Sequence, residues 1–353
     1  MTMVVQQRWA RPRGGVFRHE AFRRYWIARF LGSFSAQIIG VSVGWQIYDI
    51  TRDPFDLGMV GLTLFLPAFL LVLVTGAVAD RFNRVRIMTT CIVGEGLCAL
   101  ALLVFTFTGV QSVVPIFCTL ILLGTLRAFF GPAQQSLMPS LVPEEELPSA
   151  VAWGTSSWQI ATVLGPVVGG LLYGASPEVA YTVALVLLAA AASLAIRVPA
   201  PARIGEEKPS LRAMVAGFQY IWREKIVLGA ISLDLFAMLL GGATALLPVY
   251  ARDILVVGPW GLGLLRAAPG IGSILVAAFL LRHPVKDHAG LIMFVCVALV
   301  GFFITVFGAS TEVWLSVLAL GLMGAFDIGE CLRAADTYSI MDARRRTWAC
   351  QRR

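Results

Sequence analysis

Apolar residues fall in ten long runs separated by short polar turns. Six runs come before a polar interval and four come after it, at about residues 25–48, 58–79, 87–108, 113–137, 150–174, 178–197, 226–250, 262–281, 289–308 and 313–328. A helix needs about 20 consecutive apolar residues to cross the hydrocarbon core of a bilayer. The pattern therefore predicts an all-α, polytopic membrane protein with about ten transmembrane helices.

The polar interval divides the chain into two unequal helical bundles. We expect a cytoplasmic N-terminal segment, a six-helix bundle, a cytoplasmic linker, an incomplete bundle of four helices and a basic cytoplasmic tail, at 1–24, 25–197, 198–225, 226–328 and 329–353 respectively. Apolar residues in the linker recur at helical spacing, which predicts an amphipathic helix along the membrane face. Two bundles joined in this way are typical of transporters whose halves rock about a central site.

Composition and charge exclude a soluble globular protein and assign an orientation. Hydrophobic residues make up 58% of the chain and charged residues 14%, against about 25% charged in an ordinary soluble domain. With the N-terminus inside, the inner segments hold 23 Lys and Arg residues, whereas the outer loops hold 2, Arg52 and Arg252. This bias predicts a multi-pass protein of the plasma (inner) membrane with both termini in the cytoplasm. The excess of basic residues in the inner segments explains the net charge of +7, so the charge does not require a nucleic-acid partner.

A tight polar turn joins the second and third apolar runs and reads GAVADRFNRVR over residues 76–86. This turn resembles the loop signature of the major facilitator superfamily, GxxxD(R/K)xGR. The resemblance implies a gating motif that consists of Gly76, Asp80, Arg81, Arg84 and, in the fourth helix, Arg127. Asn83 stands where the family has glycine, and we expect it to supply the positive φ that a short turn needs. The alternative is an ordinary basic loop on the cytoplasmic side.

The fifth apolar run contains GPVVGG at residues 165–170, which resembles the GPxxGG signature of exporter members of the same superfamily. Glycines at this spacing let two helices approach closely, and a proline permits a bend. We therefore expect a helix-packing seam at Gly165, Pro166, Gly169 and Gly170. The alternative is an ordinary contact between small residues of two membrane helices.

Further segments resemble the enterobactin-exporter-like branch of the superfamily: FRRYW at 22–26, WQIY at 45–48, RAFFGPAQQSL at 127–137, AW at 152–153 and SWQIA at 157–161. The resemblance extends from about residue 17 to about residue 327. It implies a secondary active, proton-coupled exporter of siderophores, drugs or similar amphipathic molecules. Because the superfamily has twelve helices, we expect a C-terminally truncated or frame-shifted product. A non-transporting remnant and an importer of a small metabolite are the remaining alternatives.

Ionisable residues within apolar runs are costly and mark functional positions. Glu95 and Asp234 are the candidates for carrying the exchanged proton, with a buried structural anchor as the alternative for each. Arg127 lies at a depth that suits pairing with Glu95, whereas the family resemblance favours pairing with Asp80. Asp327 is predicted in the tenth helix, at the depth that Arg127 has in the fourth, and a buried structural anchor is the alternative for both.

Two other arginines and four polar or aromatic residues complete the candidate set. Arg29 and Arg266 lie near predicted helix ends, so we expect both to snorkel to the membrane interface. The residues predicted to line a substrate cavity are Gln37, Trp45, Gln46 and Gln159, with interfacial anchoring or helix contact as the alternative.

The sequence contains no phosphate-binding GxxxxGK[ST] loop, no HExxH motif and no CxxC pair. We therefore predict that the chain is not an enzyme and needs no metal or other cofactor. The expected partners are a small-molecule substrate, protons and the lipid bilayer, with no nucleic acid, and we expect the protein to act as a monomer.

Overall fold

The computed structural model describes residues 15–110, 112–199, 242–282 and 289–327. The long helices in this part of the chain are α1 Glu20–Thr51, α2 Pro54–Arg81, α3 Arg84–Phe107, α4 Val114–Leu137, α5 Leu147–Ala175, α6 Pro177–Ile196, α7 Pro259–Arg282, α8 Ala289–Ala309 and α9 Val313–Ala325. Before α7, a 3-10 turn, a single α turn and a π turn follow one another over Gly242–Leu246, Leu247–Val249 and Tyr250–Ile254. These ranges contain no strand, which confirms the all-α prediction.

The helices lie where the apolar runs predicted them. Seven, α1 to α7, are long and apolar enough to cross a membrane, and shorter apolar helices occupy Phe294–Ala309 and Val313–Ala325. The predicted linker lies outside the described residues beyond position 199, and so does the first part of the predicted seventh run, up to position 241. The multi-pass helical architecture is therefore confirmed wherever the chain is described.

Two helix starts are fixed by capping side chains. Asp53 accepts a hydrogen bond from the backbone N–H of Phe55, and Pro54 occupies the first position of α2, where its missing N–H costs nothing. The Asn83 side chain accepts from the backbone N–H groups of the second and third residues beyond it, at 2.9 and 3.4 Å. Its φ is −66°, so the prediction of a positive φ at Asn83 is wrong. The residue caps α3 in extended geometry, which its short amide side chain suits.

The first six helices pack around one another, and we call them the first bundle. Helix α1 packs against α5 and α6, α3 packs against α4 and α6, and α2 packs against α4. The segment Gly242–Ile254 with α7, α8 and α9 forms the described part of the second bundle, in which α9 lies between α7 and α8. Helix α7 also packs along α5, so these two helices form a long contact between the bundles.

Large apolar side chains cover the outside of the molecule. On α2, Phe65, Phe69 and Leu70 are all exposed, each with more than half of its surface uncovered. A surface of this kind is unfavourable in water and suits the acyl chains of a bilayer.

Candidate substrate cavity and gate

A cavity of about 180 Å³ lies between the bundles. The first bundle contributes walls from α1, α2 and α4, and the second bundle contributes Ala245 and α7. Most of the wall is apolar and includes Ile39, Val43, Leu57, Val60, Leu64 and Leu123. Two charged residues complete the lining, Arg127 from α4 and Arg266 from α7, and no acidic residue is among the lining residues that the structure describes.

Arg266 points into this cavity and not toward the membrane interface. A methyl group built at Gly44 would lie 3.1 Å from Nη2 of Arg266, and one built at Gly40 would lie 3.5 Å from Nη1. The two glycines of α1 thus leave the space that the guanidinium occupies. The prediction that Arg266 snorkels is wrong, because its position near a helix end did not show which side of α7 it occupies.

Arg29 also lies inside the protein. Its Nε is buried without a hydrogen-bond partner among the described residues, and its Nη1 would approach within 2.7 Å of a methyl group at Gly154 of α5. The guanidinium therefore rests on the glycine surface of a neighbouring helix, which also differs from the expected snorkelling. Asp327 lies just beyond the last residue of α9, and so not within the helix as predicted.

The candidate proton carrier Glu95 lies in α3. Its side chain is buried, with 5% of its surface exposed, and Arg127 is the charged group that acts on it electrostatically. Nη2 of Arg127 is buried and has no hydrogen-bond partner in the described part of the chain. Arg127 thus lines the cavity and also acts electrostatically on the buried carboxyl group of Glu95. The side chain of Asp80 and the whole of Asp234 lie outside the described residues, so the proposed pairing of Arg127 with Asp80 and the role of Asp234 stay predictions.

The loop signature links three helices at the predicted inner face. Gly76 and Arg81 belong to the last turns of α2, and Arg84 is the first residue of α3. Nη1 of Arg84 donates a hydrogen bond of 3.0 Å to the backbone carbonyl of Ser136, near the end of α4. The motif therefore fixes the α2–α3 turn against α4, and its role as a gate stays a prediction.

Two glycines of the GPVVGG motif face α1, inside the first bundle. A methyl group at Gly165 would lie 2.6 Å from Cβ of Gln37, and one at Gly169 would lie 3.0 Å from Cα of Ile38. Real Cβ atoms do not make the approach found at Gly165 without a shift of the structure, and the approach at Gly169 is tighter than almost all real Cβ contacts. Gly165 and Gly169 therefore permit the close packing of α5 on α1.

The third glycine of the motif faces the second bundle. A methyl group at Gly170 would overlap the carbonyl oxygen of Pro259, and one at Gly263 of α7 would overlap the carbonyl oxygen of Pro166. The two contacts are reciprocal, since each helix offers a glycine to the other's backbone. The GPVVGG motif thus takes part in both a contact within the first bundle and a contact between the bundles.

A polar cluster closes the predicted outer face, and we call it the outer latch: Tyr48, Asp49, Arg252 and Asp253. The hydroxyl of Tyr48 donates to the carboxylate of Asp253, and Arg252 forms an ion pair with Asp49. The Arg252 guanidinium also lies over the ring of Trp45, 5.4 Å from its centroid. These contacts join the end of α1 to the π turn before α7, and so join the two bundles at one membrane face.

Sequence reasoning missed the outer latch, although a signal for it is present. Tyr48-Asp49 ends the first apolar run, and Arg252-Asp253 follows the seventh. With the N-terminus inside, both dipeptides fall at the same membrane face, and their donors and acceptors are complementary. Matching the polar residues at the ends of odd-numbered helices would have found this cluster.

The four predicted cavity residues occupy other places. The side chain of Gln46 accepts from Tyr181 at 2.6 Å and donates to Thr106 at 3.1 Å, so it ties α1 to α6 and α3. Gln159 donates to Ser273 of α7 at 2.8 Å. Gln37 packs on Gly165, and Trp45 lies beneath Arg252. None of the four is among the residues that line the described cavity, and their contact with substrate stays a prediction.

Long apolar helices in two bundles, a cavity between the bundles and a polar closure at one face define a multi-pass secondary transporter of the major facilitator type. The chain belongs to the transmembrane secretion effector family, whose sequence model matches residues 14–337. Its relatives and its fold are those of transporters and not of enzymes. The protein therefore moves a small molecule across a lipid bilayer.

Curated relatives include enterobactin exporters. The chain is 28% identical over 320 residues to the enterobactin exporter EntS of Escherichia coli O1:K1, which covers 87% of this chain and 74% of the relative. It is 29% identical over 324 residues to the enterobactin exporter of Salmonella typhimurium, with the same two shares.

Solved structures show the same fold. A bacterial homologue of the human lysosomal transporter Spinster, in an inward-facing conformation, superposes with a TM-score of 0.68 at 15% identity, covering 90% of this chain and 75% of that one. A bacterial homologue of the iron transporter ferroportin, in an inward-facing state, gives a TM-score of 0.65 at 18% identity, covering 95% and 87%. Both likenesses support the fold assignment.

Proposed function

We propose that this protein is a proton-coupled exporter of siderophores, drugs or similar amphipathic small molecules. It works by alternating access in the plasma (inner) membrane, as a monomer with both termini in the cytoplasm. The observation that carries the proposal is the cavity between the bundles, together with the outer latch that joins the two bundles near one end of α1. The GPVVGG seam and the likeness to enterobactin exporters support export over import.

Glu95 is the proposed site of proton exchange in the described part of the chain, and Asp234 remains the second candidate. A buried carboxyl group in a membrane helix is costly to keep ionised, so it exchanges a proton when its surroundings change. Arg127 lines the cavity and acts electrostatically on Glu95. A substrate that binds in the cavity therefore changes the electrostatic surroundings of Glu95 through Arg127.

An efflux assay tests the direction of transport. Cells that express the chain, loaded with enterobactin or with a fluorescent amphipathic drug, should lose the compound faster than vector controls, and dissipation of the proton gradient should abolish the difference. Faster accumulation would favour an importer, and equal behaviour of expressing and control cells would favour a non-transporting protein.

Proton coupling has its own test in everted membrane vesicles. Glu95→Gln should abolish the proton movement that substrate addition causes, while the matched variant Glu144→Gln, in an exposed turn, should keep it. Asp234→Asn is measured beside them. If both Glu95→Gln and Asp234→Asn retain gradient-driven transport, neither residue carries the proton.

Orientation is tested by labelling single cysteines. Arg52→Cys should react with a membrane-impermeant maleimide added to whole cells, whereas Arg86→Cys should react only after the cells are opened. The six natural cysteines are replaced by serine in this background. The reverse pattern would overturn the proposed orientation.

A further inference from the structure

Two positive charges face the same small cavity from opposite bundles. Arg127 enters from α4 and Arg266 from α7, while the other described lining residues are apolar residues and glycines. Such an arrangement concentrates positive charge in an apolar space at the interface of the two moving halves. It is therefore a natural place for an anion.

Neither guanidinium is saturated by the protein. Within the described residues Arg266 makes no hydrogen bond and no ion pair, and Nη2 of Arg127 is buried without a partner. Arg266 is half-buried, and an ionised side chain that is partly withdrawn from water without a partner carries a desolvation cost. The glycines Gly40 and Gly44 nevertheless leave room for Arg266 at this place. The empty protein thus bears a cost that a bound anion would offset.

The volume of the cavity and the chemistry of its wall narrow the class of ligand. A pocket for a whole drug-sized molecule measures about 300–1,000 Å³, so a cavity of about 180 Å³ suits one head group with a ring or short chain. Guanidinium groups bind carboxylates through paired, parallel hydrogen bonds. The apolar wall of Ile39, Val43 and Leu57 offers contact to the carbon skeleton next to the carboxylate.

We propose that Arg127 and Arg266 form a subsite for the anionic head group of the transported compound, which makes amphipathic organic carboxylates the preferred substrate class. This inference rests on the proposed function, because it names the substrate of that transporter. Arg266 contributes most to anion selectivity, since Arg127 is already shared with Glu95. The anion joins residues of both bundles, and its binding is thus linked to their relative position.

The test uses the 353-residue chain in phosphatidylcholine nanodiscs and two radiolabelled probes of equal shape, naphthalene-2-carboxylate and its neutral amide. The wild-type protein should bind the carboxylate at least tenfold more tightly than the amide. Arg266→Gln should remove that preference by weakening the carboxylate alone, and Arg266→Lys should retain part of it. Arg23→Gln, an exposed arginine of α1, is the matched control and should leave both affinities unchanged.

A stability measurement separates loss of the site from loss of the fold. Arg266→Gln should raise the Tm of the unliganded protein, because it removes a half-buried charge that has no partner among the described residues. It should also remove the thermal stabilisation by the carboxylate probe. Equal binding of carboxylate and amide by the wild type, no binding of the carboxylate, or an equal loss of both probes in Arg266→Gln would overturn the proposal. Efflux with no carboxylate preference would overturn the subsite alone, whereas carboxylate binding without efflux would overturn the proposed function.

Discussion

The two faces of α5 use the same small-residue chemistry for different purposes. Toward α1, Gly165 and Gly169 meet carbon atoms of Gln37 and Ile38 within the first bundle. Toward α7, Gly170 meets the backbone carbonyl of Pro259 in the second bundle. Gly263 of α7 in turn meets the backbone carbonyl of Pro166 in α5. The first contact lies within one bundle and includes the Gln37 side chain, whereas the atoms nearest to Gly170 and Gly263 belong to the backbone of the other helix. The second contact lies between the bundles, so it is the one that rocking of the bundles would change.

Hydrogen bonds across the α5–α7 contact add to the difference between the two faces of α5. Along the α5–α7 contact, Gln159 donates to Ser273 and to the carbonyl of Gly270, at 2.8 and 3.3 Å. When the bundles separate, water that enters the cleft can replace these hydrogen bonds. The contact of Gly165 and Gly169 with α1 lies within the first bundle and stays in place when the bundles separate, so no water has to replace it. We therefore expect substitutions on the α1 side to affect folding and substitutions on the α7 side to affect the conformational equilibrium.

The largest effect is expected from Gly165→Leu. Its Cβ alone would lie 2.6 Å from that of Gln37, and overpacking of a well-packed contact costs about 1–3 kcal/mol or more. We expect a large fall in the yield of monodisperse protein and a Tm lower by a few degrees. Gly174→Leu on the same helix is the control, since a Cβ there meets no atom within 4 Å. Equal losses in the two variants would break the comparison.

Gly170→Leu should leave the protein folded and open the predicted outer face. Ala251, beside the outer latch, is fully buried in the closed form. An Ala251→Cys reporter in a cysteine-free background should react with an impermeant maleimide several times faster when Gly170→Leu is present. Gly174→Leu should leave the labelling rate unchanged. A folded Gly170→Leu protein with the wild-type labelling rate would show that this glycine does not hold the outer face closed.

The outer latch should have a smaller effect on the same reporter. Asp49→Asn removes the ion pair with Arg252, and partly exposed ion pairs contribute about 0.2–1 kcal/mol. The labelling rate should therefore rise by about fivefold at most, with a smaller difference at high salt. The exchange of both charges, Asp49→Arg with Arg252→Asp, should restore the slow rate. Failure of this exchange, with both proteins folded, would argue against a latch formed by the ion pair.

The smallest effect is expected at the hydrogen bond between Gln159 and Ser273. Hydrogen bonds between membrane helices contribute about 0.6 kcal/mol on average, so Gln159→Leu should raise the labelling rate roughly threefold. Ser273→Ala should act similarly, and the double variant should add little to either single one. Additive effects of the two substitutions would show that the two side chains do not act as a pair.

The sequence was sufficient to predict the helices because the bilayer imposes a length and a polarity on each of them. It predicted less well how particular residues are used. Asn83 was assigned a positive φ from its tolerance of that conformation, whereas the chain uses its side-chain oxygen as a helix cap. Tolerance of a conformation is a weaker constraint than the need of two backbone N–H groups for an acceptor.

Contacts between helices were beyond the sequence because they depend on rotation of each helix about its axis. The sequence shows how far along α7 Arg266 lies, but it does not show that the side chain points toward Gly40 and Gly44. Likewise, Gln46 is satisfied by Tyr181 and Thr106 inside the first bundle, and no local pattern near Gln46 names those partners. Motifs with small residues were the exception, since close helix contact is the property that their spacing encodes.

The buried charge of Arg266 also has an electrical consequence. A transmembrane potential acts on any charge that changes depth, by about 2.3 kcal/mol per unit charge and 100 mV for a complete crossing. An anion bound between the bundles cancels charge that the empty protein carries alone. The potential therefore acts differently on the loaded and the empty transporter. In an energised cell, the voltage would thus affect the rate of the empty return step and add to the driving force on an anionic cargo.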